Sequence, residues 1–145
     1  MKKTARAKAK EKAWTAFSKY VRTRDCLKYT GDPLQGMCVT CRRSYPFSKL
    51  QAGHFIAGRT GSILFDEEAV HSQCYGCNIG RGGTHVDYFI FMEQEYGREK
   101  IEELMAKRHQ TNKFTVEEYQ ETEQYYILKT QKALTDKHKH DIMVA

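Results

Sequence analysis

The stretch that decides the fold runs from residue 37 to residue 81 and contains three motifs. It reads Met-Cys-Val-Thr-Cys at 37–41, Ala-Gly-His-Phe-Ile at 52–56 and Val-His-Ser-Gln-Cys-Tyr-Gly-Cys-Asn-Ile-Gly-Arg at 70–81. Two Cys-x-x-Cys pairs therefore bracket a histidine, and an asparagine follows the second pair directly. We interpret this stretch as a zinc-stapled core against which the rest of the chain packs.

The four paired cysteines, Cys38, Cys41, Cys74 and Cys77, have the spacing of a zinc site. A Cys-x-x-Cys turn lets two thiolates converge on one ion, and structural zinc favours four such ligands. Two turns that close one site would staple both ends of the intervening hairpin and offset its loop-closure entropy. Redox-active pairs are the alternative, but the sequence lacks the βαβ pattern of thioredoxin-like proteins. The fifth cysteine, Cys26, is interpreted as a small buried hydrophobe or a partly exposed thiol.

The composition sets limits on the class of protein. The chain has 145 residues, of which 40% are apolar and 29% are charged, which suits one compact domain, or a small core with helical extensions. No apolar run is long enough to span a bilayer, and the basic N-terminus lacks the apolar segment of a secretory signal. We therefore expect a cytoplasmic protein, in which reducing conditions disfavour disulfides.

The net charge of +6 is concentrated at the N-terminus. Residues 1–24 hold nine Lys or Arg against one acid, whereas residues 87–124 hold ten acids against five bases. A basic arm beside a near-neutral body fits a nucleic-acid partner, with a solvated, flexible tail as the alternative. The candidate DNA-contacting residues in the arm are Lys2, Lys3, Arg6, Lys8, Lys10 and Lys12.

Hydrophobic periodicity predicts a helix over residues 3–24, and we expect the part before Ala13 to fray without a partner, because it has little to bury. The middle of the chain lacks this periodicity. It predicts an irregular β-hairpin with extended pieces at 49–56, 62–65 and 69–73, followed by a short helix beginning at residue 77 or 78.

The C-terminal part of the sequence predicts three helices. Gly97 suits the end of the first, and Thr115 with Glu118 forms a capping-box pattern that opens the third. We expect the basic tail at 137–140 to be loose. The C-terminal tyrosines indicate either core packing or a dimer interface.

The predicted fold class is therefore α+β. A small zinc-stapled core over residues 36–86 is flanked by a basic N-terminal helix over 1–35 and a helical region over 87–145.

Catalytic chemistry cannot come from a zinc ion that four cysteines enclose, because such a site has no open position. Three polar residues nearby, His54, His71 and Asn78, are the candidates instead. An amide oxygen can hold a hard divalent cation and an imidazole can deprotonate a water, which suits metal-dependent phosphodiester hydrolysis. A zinc ribbon with structural histidines is the alternative.

The combined motifs resemble the HNH nucleases, also called His-metal-finger or ββα-metal nucleases. More closely, Ala-Gly-His-Phe at 52–55, Leu-Phe-Asp-Glu at 64–67 and Val-His-Ser-Gln-Cys-x-x-Cys-Asn at 70–78 are similar to the phage NinG/Rap (recombination adept with plasmid) family. The resemblance covers residues 36–90 well, and the remainder matches only in character. It implies an endonuclease that cuts branched DNA, including Holliday junctions and D-loops.

Carried over to this sequence, the resemblance implies a role for each candidate. His54 is the general base, and Asn78 is a ligand of a catalytic Mg²⁺ or Mn²⁺, with His54 as a further candidate ligand. Arg81 contacts phosphate, and His71 binds metal or orients the scissile phosphate. Cutting two strands of a junction implies two active sites and hence a homodimer. The resemblance also implies a phage- or prophage-encoded protein that acts in the cytoplasm of the bacterial host.

Two positions depart from the HNH pattern. Gly53 stands where many HNH enzymes have a metal-binding aspartate, and Ala69 stands where they have the middle asparagine. His54, His71 or a carboxylate of Asp66, Glu67 or Glu68 could complete the metal shell, and Gln73 could take over the orienting role. A general HNH nickase and a non-catalytic zinc module for DNA recombination therefore stay open as alternatives.

Overall fold

The computed structural model describes residues 2–57 and 61–145. In those residues the elements are α1 (Ala5–Thr30), β1 (Gln35–Met37), β2 (Ser44–Pro46), β3 (Leu50–His54), β4 (Val70–Cys74), α2 (His85–Tyr96), α3 (Arg98–Lys107) and α4 (Val116–Val144). The strands form two separate antiparallel hairpins, β1–β2 and β3–β4, which confirms the α+β class. No helix within the described residues combines the length and apolar character needed to cross a membrane.

Helix α1 is longer than the helix predicted over residues 3–24. Its first turn is capped by Thr4 Oγ1, which accepts a hydrogen bond from Ala7 N–H at 3.1 Å. It continues to Thr30 and ends where Gly31 adopts a left-handed backbone (φ 75°) and donates its N–H to the Leu27 carbonyl oxygen. The prediction stopped too early because the positions that would continue the apolar stripe after Val21 are occupied by Arg24, Asp25 and Lys28.

The N-terminal half of α1 is helical because other parts of the chain cover it, so the partner that the prediction required is present. Ala9 and Ala13 are buried in a cluster with Leu64 and Tyr119. Small alanine side chains allow the backbones of α1 and α4 to approach closely. The partner that the N-terminal segment needs is therefore the C-terminal helix of the same chain.

The tail at 137–140 is helical rather than loose, because α4 continues to Val144. Ion pairs one helical turn apart, Lys132–Asp136 and Lys137–Asp141, each close at 2.7 Å on its exposed surface. Such pairs stabilise a helix slightly where tertiary packing has ended.

The piece at 62–65 forms turns and not the predicted strand. Strand β3 pairs with β4, and the consecutive residues Ile63 and Leu64 are both buried, 0% and 2% exposed. A strand would have sent them to opposite faces. Here the turn puts both into the core between the helices.

The main core draws on the N-terminal, central and C-terminal parts of the chain, with Phe17, Val70 and Tyr126 in one buried cluster. The Phe17 ring lies edge-on to Phe65 at 5.5 Å and to Tyr126 at 4.9 Å between centroids. The β3–β4 hairpin is therefore packed against helices from both ends of the sequence.

A buried charged pair fixes the position of β4 beside α1. Asp25 Oδ2 accepts the backbone N–H of Ser72 at 2.8 Å, and Asp25 Oδ1 accepts Arg24 Nε at 2.8 Å. Arg24 also donates to the carbonyl oxygens of Glu67 at 2.6 Å and Val70 at 2.8 Å. The entry and centre of β4 are thus hydrogen-bonded to side chains of one helix.

The central role of Phe17 predicts a large effect of its truncation. Phe17→Ala should lower the free energy of unfolding by about 3–5 kcal/mol, because it removes a fully buried ring and leaves a cavity. Urea denaturation followed by circular dichroism measures this. The control is Leu128→Ala, whose side chain is 62% exposed, and which should change stability by less than about 0.5 kcal/mol. Equal effects of the two substitutions would contradict the assignment of the core.

Candidate metal centre and active site

The sulfur atoms of the four paired cysteines come together in space. One Sγ from each of Cys38, Cys41, Cys74 and Cys77 lies within 4.8 Å of all the others. Cys41 Sγ and Cys74 Sγ are 4.0 Å apart, close to the separation of about 3.8 Å that Zn–S bonds of 2.3 Å impose in a tetrahedron. Among the described residues this is the one group of three or more cysteine, histidine or acidic side chains with metal-ligand geometry.

Both Cys-x-x-Cys turns are shaped by the backbone. In the first, Arg42 takes a left-handed conformation (φ 64°) and donates its N–H to the Cys38 carbonyl oxygen at 2.9 Å. The second turn leads from the end of β4 into a π-helical turn over Gly76–Gly80. Val39 N–H donates to the Ser72 carbonyl oxygen at 3.0 Å and so ties the first turn to β4.

Each of the four sulfurs has a hydrogen-bond partner suited to a thiolate. These are Thr40 Oγ1 at 3.3 Å from Cys38, Tyr45 OH at 3.9 Å from Cys41, the Cys77 N–H at 3.4 Å from Cys74, and Arg81 Nη1 at 3.9 Å from Cys77. Burial by itself raises the pKa of Cys74, but the hydrogen bonds from Tyr45 and Cys77 outweigh it and lower that pKa to about 7. Four convergent, hydrogen-bonded thiols fit a structural zinc ion.

Cys26 lies outside this cluster and is fully buried. Burial raises its pKa to about 11, so the thiol stays protonated and unreactive at neutral pH. Of the two interpretations of Cys26, the structure supports the small buried hydrophobe.

His54 ends β3, and its ring contacts Trp14 and Leu64 among the described residues. Its ring stacks on Trp14, with centroids 5.2 Å apart and planes 18° from parallel, and its Nε2 lies 3.2 Å from the Leu64 carbonyl oxygen. A carbonyl oxygen can only accept, so Nε2 carries the proton and Nδ1 is the basic nitrogen. This tautomer is the one that a general base acting through Nδ1 requires.

Asn78 lies on the π-helical turn, where its amide is oriented by β3. Its Nδ2 donates to Gln51 Oε1 at 2.8 Å, and its Oδ1 lies 3.0 Å from the point where a Cβ on Gly53 would stand. Since side chains alternate along a strand, the Cβ direction of residue 53 and the side chain of His54 lie on opposite faces. Asn78 and His54 therefore flank the end of β3 from its two faces.

A cleft of about 370 Å³ runs beside the first three residues of β3. It is lined by Trp14, Ser18, Arg22, Leu50, Gln51, Ala52, Asn78 and Ile79. Arg22 was missed by the sequence analysis. It donates to the Ser18 carbonyl oxygen at 3.1 Å, lies 4.5 Å from the Phe47 ring centroid, and has its pKa lowered by burial. The spacing of positions 14, 18 and 22, one turn apart on a predicted helix, was the available signal.

His71 is in the core, 1% exposed, and not in the cleft. Its Nε2 is 2.6 Å from Tyr96 OH and its Nδ1 is 3.4 Å from Tyr88 OH, while Tyr88 OH donates to the Gly53 carbonyl oxygen at 2.7 Å. Burial lowers the pKa of His71 well below its usual value, so the ring is neutral. This position favours a structural role for His71, which contacts β3 through Tyr88. It does not favour the predicted contact of His71 with metal or phosphate.

The three acidic residues considered as metal ligands are engaged elsewhere. Asp66 pairs with Lys107 at 2.7 Å, Glu67 with Lys129 at 2.7 Å, and Glu68 with Lys100 at 3.4 Å. These ion pairs hold the loop before β4 against α3 and α4. The acids therefore fasten the hairpin to the C-terminal helices.

The predicted DNA-contacting residues are at the surface, but they are not equivalent. Lys2, Lys3, Lys8, Lys10 and Lys12 are exposed along the start of α1, and Arg81 is exposed beside the cysteine cluster. Arg6 instead donates to the Phe114 carbonyl oxygen at 3.0 Å and lies 5.6 Å from the Tyr119 ring centroid. It therefore packs α1 against the start of α4.

The sequence of the whole chain was compared with known families. A family profile described as Bacteriophage Lambda NinG protein matches residues 1–137 of the 145. The chain belongs to the NinG family. The match spans α1, the cysteine cluster and most of α4, so it does not depend on the two Cys-x-x-Cys turns alone. No curated protein and no solved structure matches the chain.

Membership of the NinG family makes this a phage protein related to recombination. The resemblance drawn from the motifs of residues 52–78 is thereby confirmed at the level of the family. The NinG match also extends into regions that the motifs did not reach, among them the aromatic residues Tyr88 and Tyr96 beneath β3.

The cysteine geometry predicts one zinc ion per chain. Cys77→Ser should abolish stoichiometric zinc binding and destabilise the fold, because three remaining thiolates leave the ion incompletely held. Native mass spectrometry and elemental analysis measure the content. Cys26→Ala is the matched control and should keep one zinc per chain. Loss of zinc from Cys26→Ala, or its retention in Cys77→Ser, would refute the four-cysteine site.

Proposed function

We propose that this NinG-family protein is a divalent-metal-dependent endonuclease that hydrolyses phosphodiester bonds in branched DNA such as Holliday junctions and D-loops. The observation that carries the proposal is the end of β3. There the Nε2–H of His54 is fixed by the Leu64 carbonyl oxygen, and Asn78 Oδ1 approaches the preceding residue, Gly53. A basic nitrogen and a cation-binding oxygen thus lie at the same end of β3, one on each of its faces.

In this mechanism His54 Nδ1 takes a proton from the attacking water, while its Nε2–H stays on Leu64 and keeps the ring in place. Stacking on Trp14 limits rotation of the ring. Asn78 Oδ1, oriented by Gln51, contributes a ligand for the divalent cation. When bound, that cation supplies Lewis-acid polarisation of the phosphate and stabilisation of the leaving oxygen.

The zinc ion would act only through structure in this proposal. Cys77 immediately precedes Asn78, and Cys74 ends the strand that pairs with β3. A filled four-thiolate site would therefore fix the position of the π-helical turn relative to β3 and the register of the β3–β4 hairpin. Catalysis depends on such positioning, because misplacement by about 1 Å can cost 100-fold in rate.

The phosphate backbone of DNA would follow the exposed lysines near the start of α1 to the cleft beside β3, which Arg22 lines. Contacts of this kind position a duplex without reading its sequence. Selection of a four-way junction over a linear duplex then requires two cleavage sites, which we assign to a homodimer. Light scattering of the protein–junction complex would show two chains per junction.

Cleavage assays on a synthetic four-way junction and a linear duplex of matched sequence test the proposal. With Mg²⁺ or Mn²⁺ the junction should be cut preferentially. His54→Ala should reduce its cleavage at least about 100-fold, as expected on loss of a general base. Zinc content and junction binding should stay near wild type, and His138→Ala, an exposed histidine late in α4, is the control.

The outcomes separate the alternatives. Equal cutting of junction and duplex would replace the junction endonuclease by a general nickase. Junction binding without cleavage, with either metal, would favour a non-catalytic zinc module, which Gly53 and Ala69 in place of the HNH residues also favour. Full activity of His54→Ala would remove His54 from the mechanism.

The exposed lysines near the start of α1 predict that the Kd for junction DNA depends on salt concentration. Changing Lys2, Lys8, Lys10 and Lys12 to Gln should weaken junction binding and flatten the dependence of log Kd on log salt by about one unit per lost phosphate contact. Deleting the arm would be a poor test, since Ala9 is buried against α4. Changing Lys132 and Lys139 to Gln, which removes two exposed charges from α4, is the control and should leave the slope almost unchanged. The same slope in both variants would mean that α1 does not contact DNA.

A further inference from the structure

Gln73, in β4, holds a buried oxygen atom without a partner. The residue is 0% exposed, and Gln73 Oε1 is one of the buried side-chain atoms that accept no hydrogen bond within the described part of the chain. An unsatisfied buried acceptor costs free energy, so its presence requires a reason.

The orientation of this amide is determined by its nitrogen. Gln73 Nε2 donates to Thr40 Oγ1 at 3.1 Å and to the Gly83 carbonyl oxygen at 3.0 Å. Because the Gly83 carbonyl oxygen can only accept, the nitrogen must lie on that side. Gln73 Oε1 therefore points away from Gly83.

The oxygen points at Gly53. A Cβ on Gly53 would lie 1.9 Å from Gln73 Oε1 and 3.0 Å from Asn78 Oδ1. Both amide oxygens thus lie around the point that any side chain at position 53 would occupy. Asn78 is held in this orientation through its own nitrogen, which donates to Gln51.

Two amide oxygens lie beside the same glycine, and both amide nitrogens donate to other groups, so the two oxygens are candidate ligands for a cation. Hard divalent cations take carbonyl and amide oxygens as ligands. The other residues considered for this role are occupied: His71 lies between two tyrosine hydroxyl groups, and the acids at 66–68 pair with lysines.

We propose that Gln73 Oε1, together with Asn78 Oδ1, binds the catalytic divalent cation and takes the place of the carboxylate that is absent at position 53. Gly53 is then required, because a Cβ at position 53 would lie 1.9 Å from Gln73 Oε1 and force this oxygen out of its position. The inference rests on the proposed function, which places a divalent cation at this end of β3.

A hydrogen-bonded chain links this ligand to the zinc site. Thr40 Oγ1 accepts from Gln73 Nε2, so its own proton is available for Cys38 Sγ at 3.3 Å. Zinc at the four cysteines would fix the thiolate of Cys38, and through Thr40 the amide of Gln73. The structural ion thereby helps to aim a ligand of the catalytic ion.

Mn²⁺ binding to the zinc-loaded full chain tests the inference without relying on activity. Free Mn²⁺ is measured by electron paramagnetic resonance during a titration. Gln73→Met, close in volume but without the oxygen, should weaken Mn²⁺ binding at least about tenfold. Ser72→Ala is the matched control, because Ser72 Oγ is also buried and unpartnered on β4, and it should bind Mn²⁺ like wild type.

A second variant guards against loss of structure in Gln73→Met, which also removes two hydrogen bonds. Gly53→Ala retains Gln73 but puts a methyl group between the two oxygens, and it should weaken Mn²⁺ binding to a similar degree. Zinc content and circular dichroism must stay like wild type in both variants.

The outcomes distinguish this inference from the proposed function. If wild type binds no Mn²⁺ and cleaves no DNA, the proposed function fails. If wild type binds Mn²⁺ and cleaves, while folded Gln73→Met and Gly53→Ala bind Mn²⁺ as tightly as wild type, the inference about Gln73 is overturned and the nuclease stands.

Discussion

The convergence of four cysteine sulfurs within 4.8 Å is the constraint on which the rest of this structure depends. Thiolates at this separation repel one another unless a cation lies between them, so the folded arrangement and zinc binding are coupled. The cluster joins two hairpins that share no strand. Cys38 and Cys41 lie between β1 and β2, whereas Cys74 ends β4 and Cys77 follows it. Without the cluster, a three-residue β1–β2 hairpin and a five-residue β3–β4 hairpin would have little to hold them in register.

The chain supports the β3–β4 hairpin from two further directions. The first support comes from hydrogen bonds. Asp25 and Arg24 of α1 bond to β4, and Tyr88 of α2 donates to the carbonyl oxygen of Gly53. The second support comes from ion pairs, in which the acids at 66–68, just before β4, pair with lysines of α3 and α4. A short hairpin is thereby made rigid enough to hold His54 and Asn78 in fixed orientations, which is what a site that acts by positioning requires.

Much of this could be read from local sequence patterns, since the signals are themselves local. Cys-x-x-Cys spacing, the capping box at Thr115 and Glu118, and the helix end at Gly97 depend on neighbours a few positions away, and the structure has each of them. The predictions that failed concern features that are not determined by neighbouring residues alone. The turn at 62–65, the extension of α1 to Thr30 and the helical tail depend on packing between segments that are distant in the chain or on ion pairs added along one helix face.

Residue type and spacing along the chain were enough to predict the cluster of four cysteines, the α+β class and the NinG family. The roles of the remaining polar residues became clear only from the folded chain. It buries His71 between tyrosines, pairs Asp66 with Lys107, and turns Gln73 Oε1 toward Gly53. The physical reason is that hydrogen-bond partners across β4, α2 and α3 are set by packing. The linear pattern shows that a polar side chain is present but not which way its donor and acceptor atoms point.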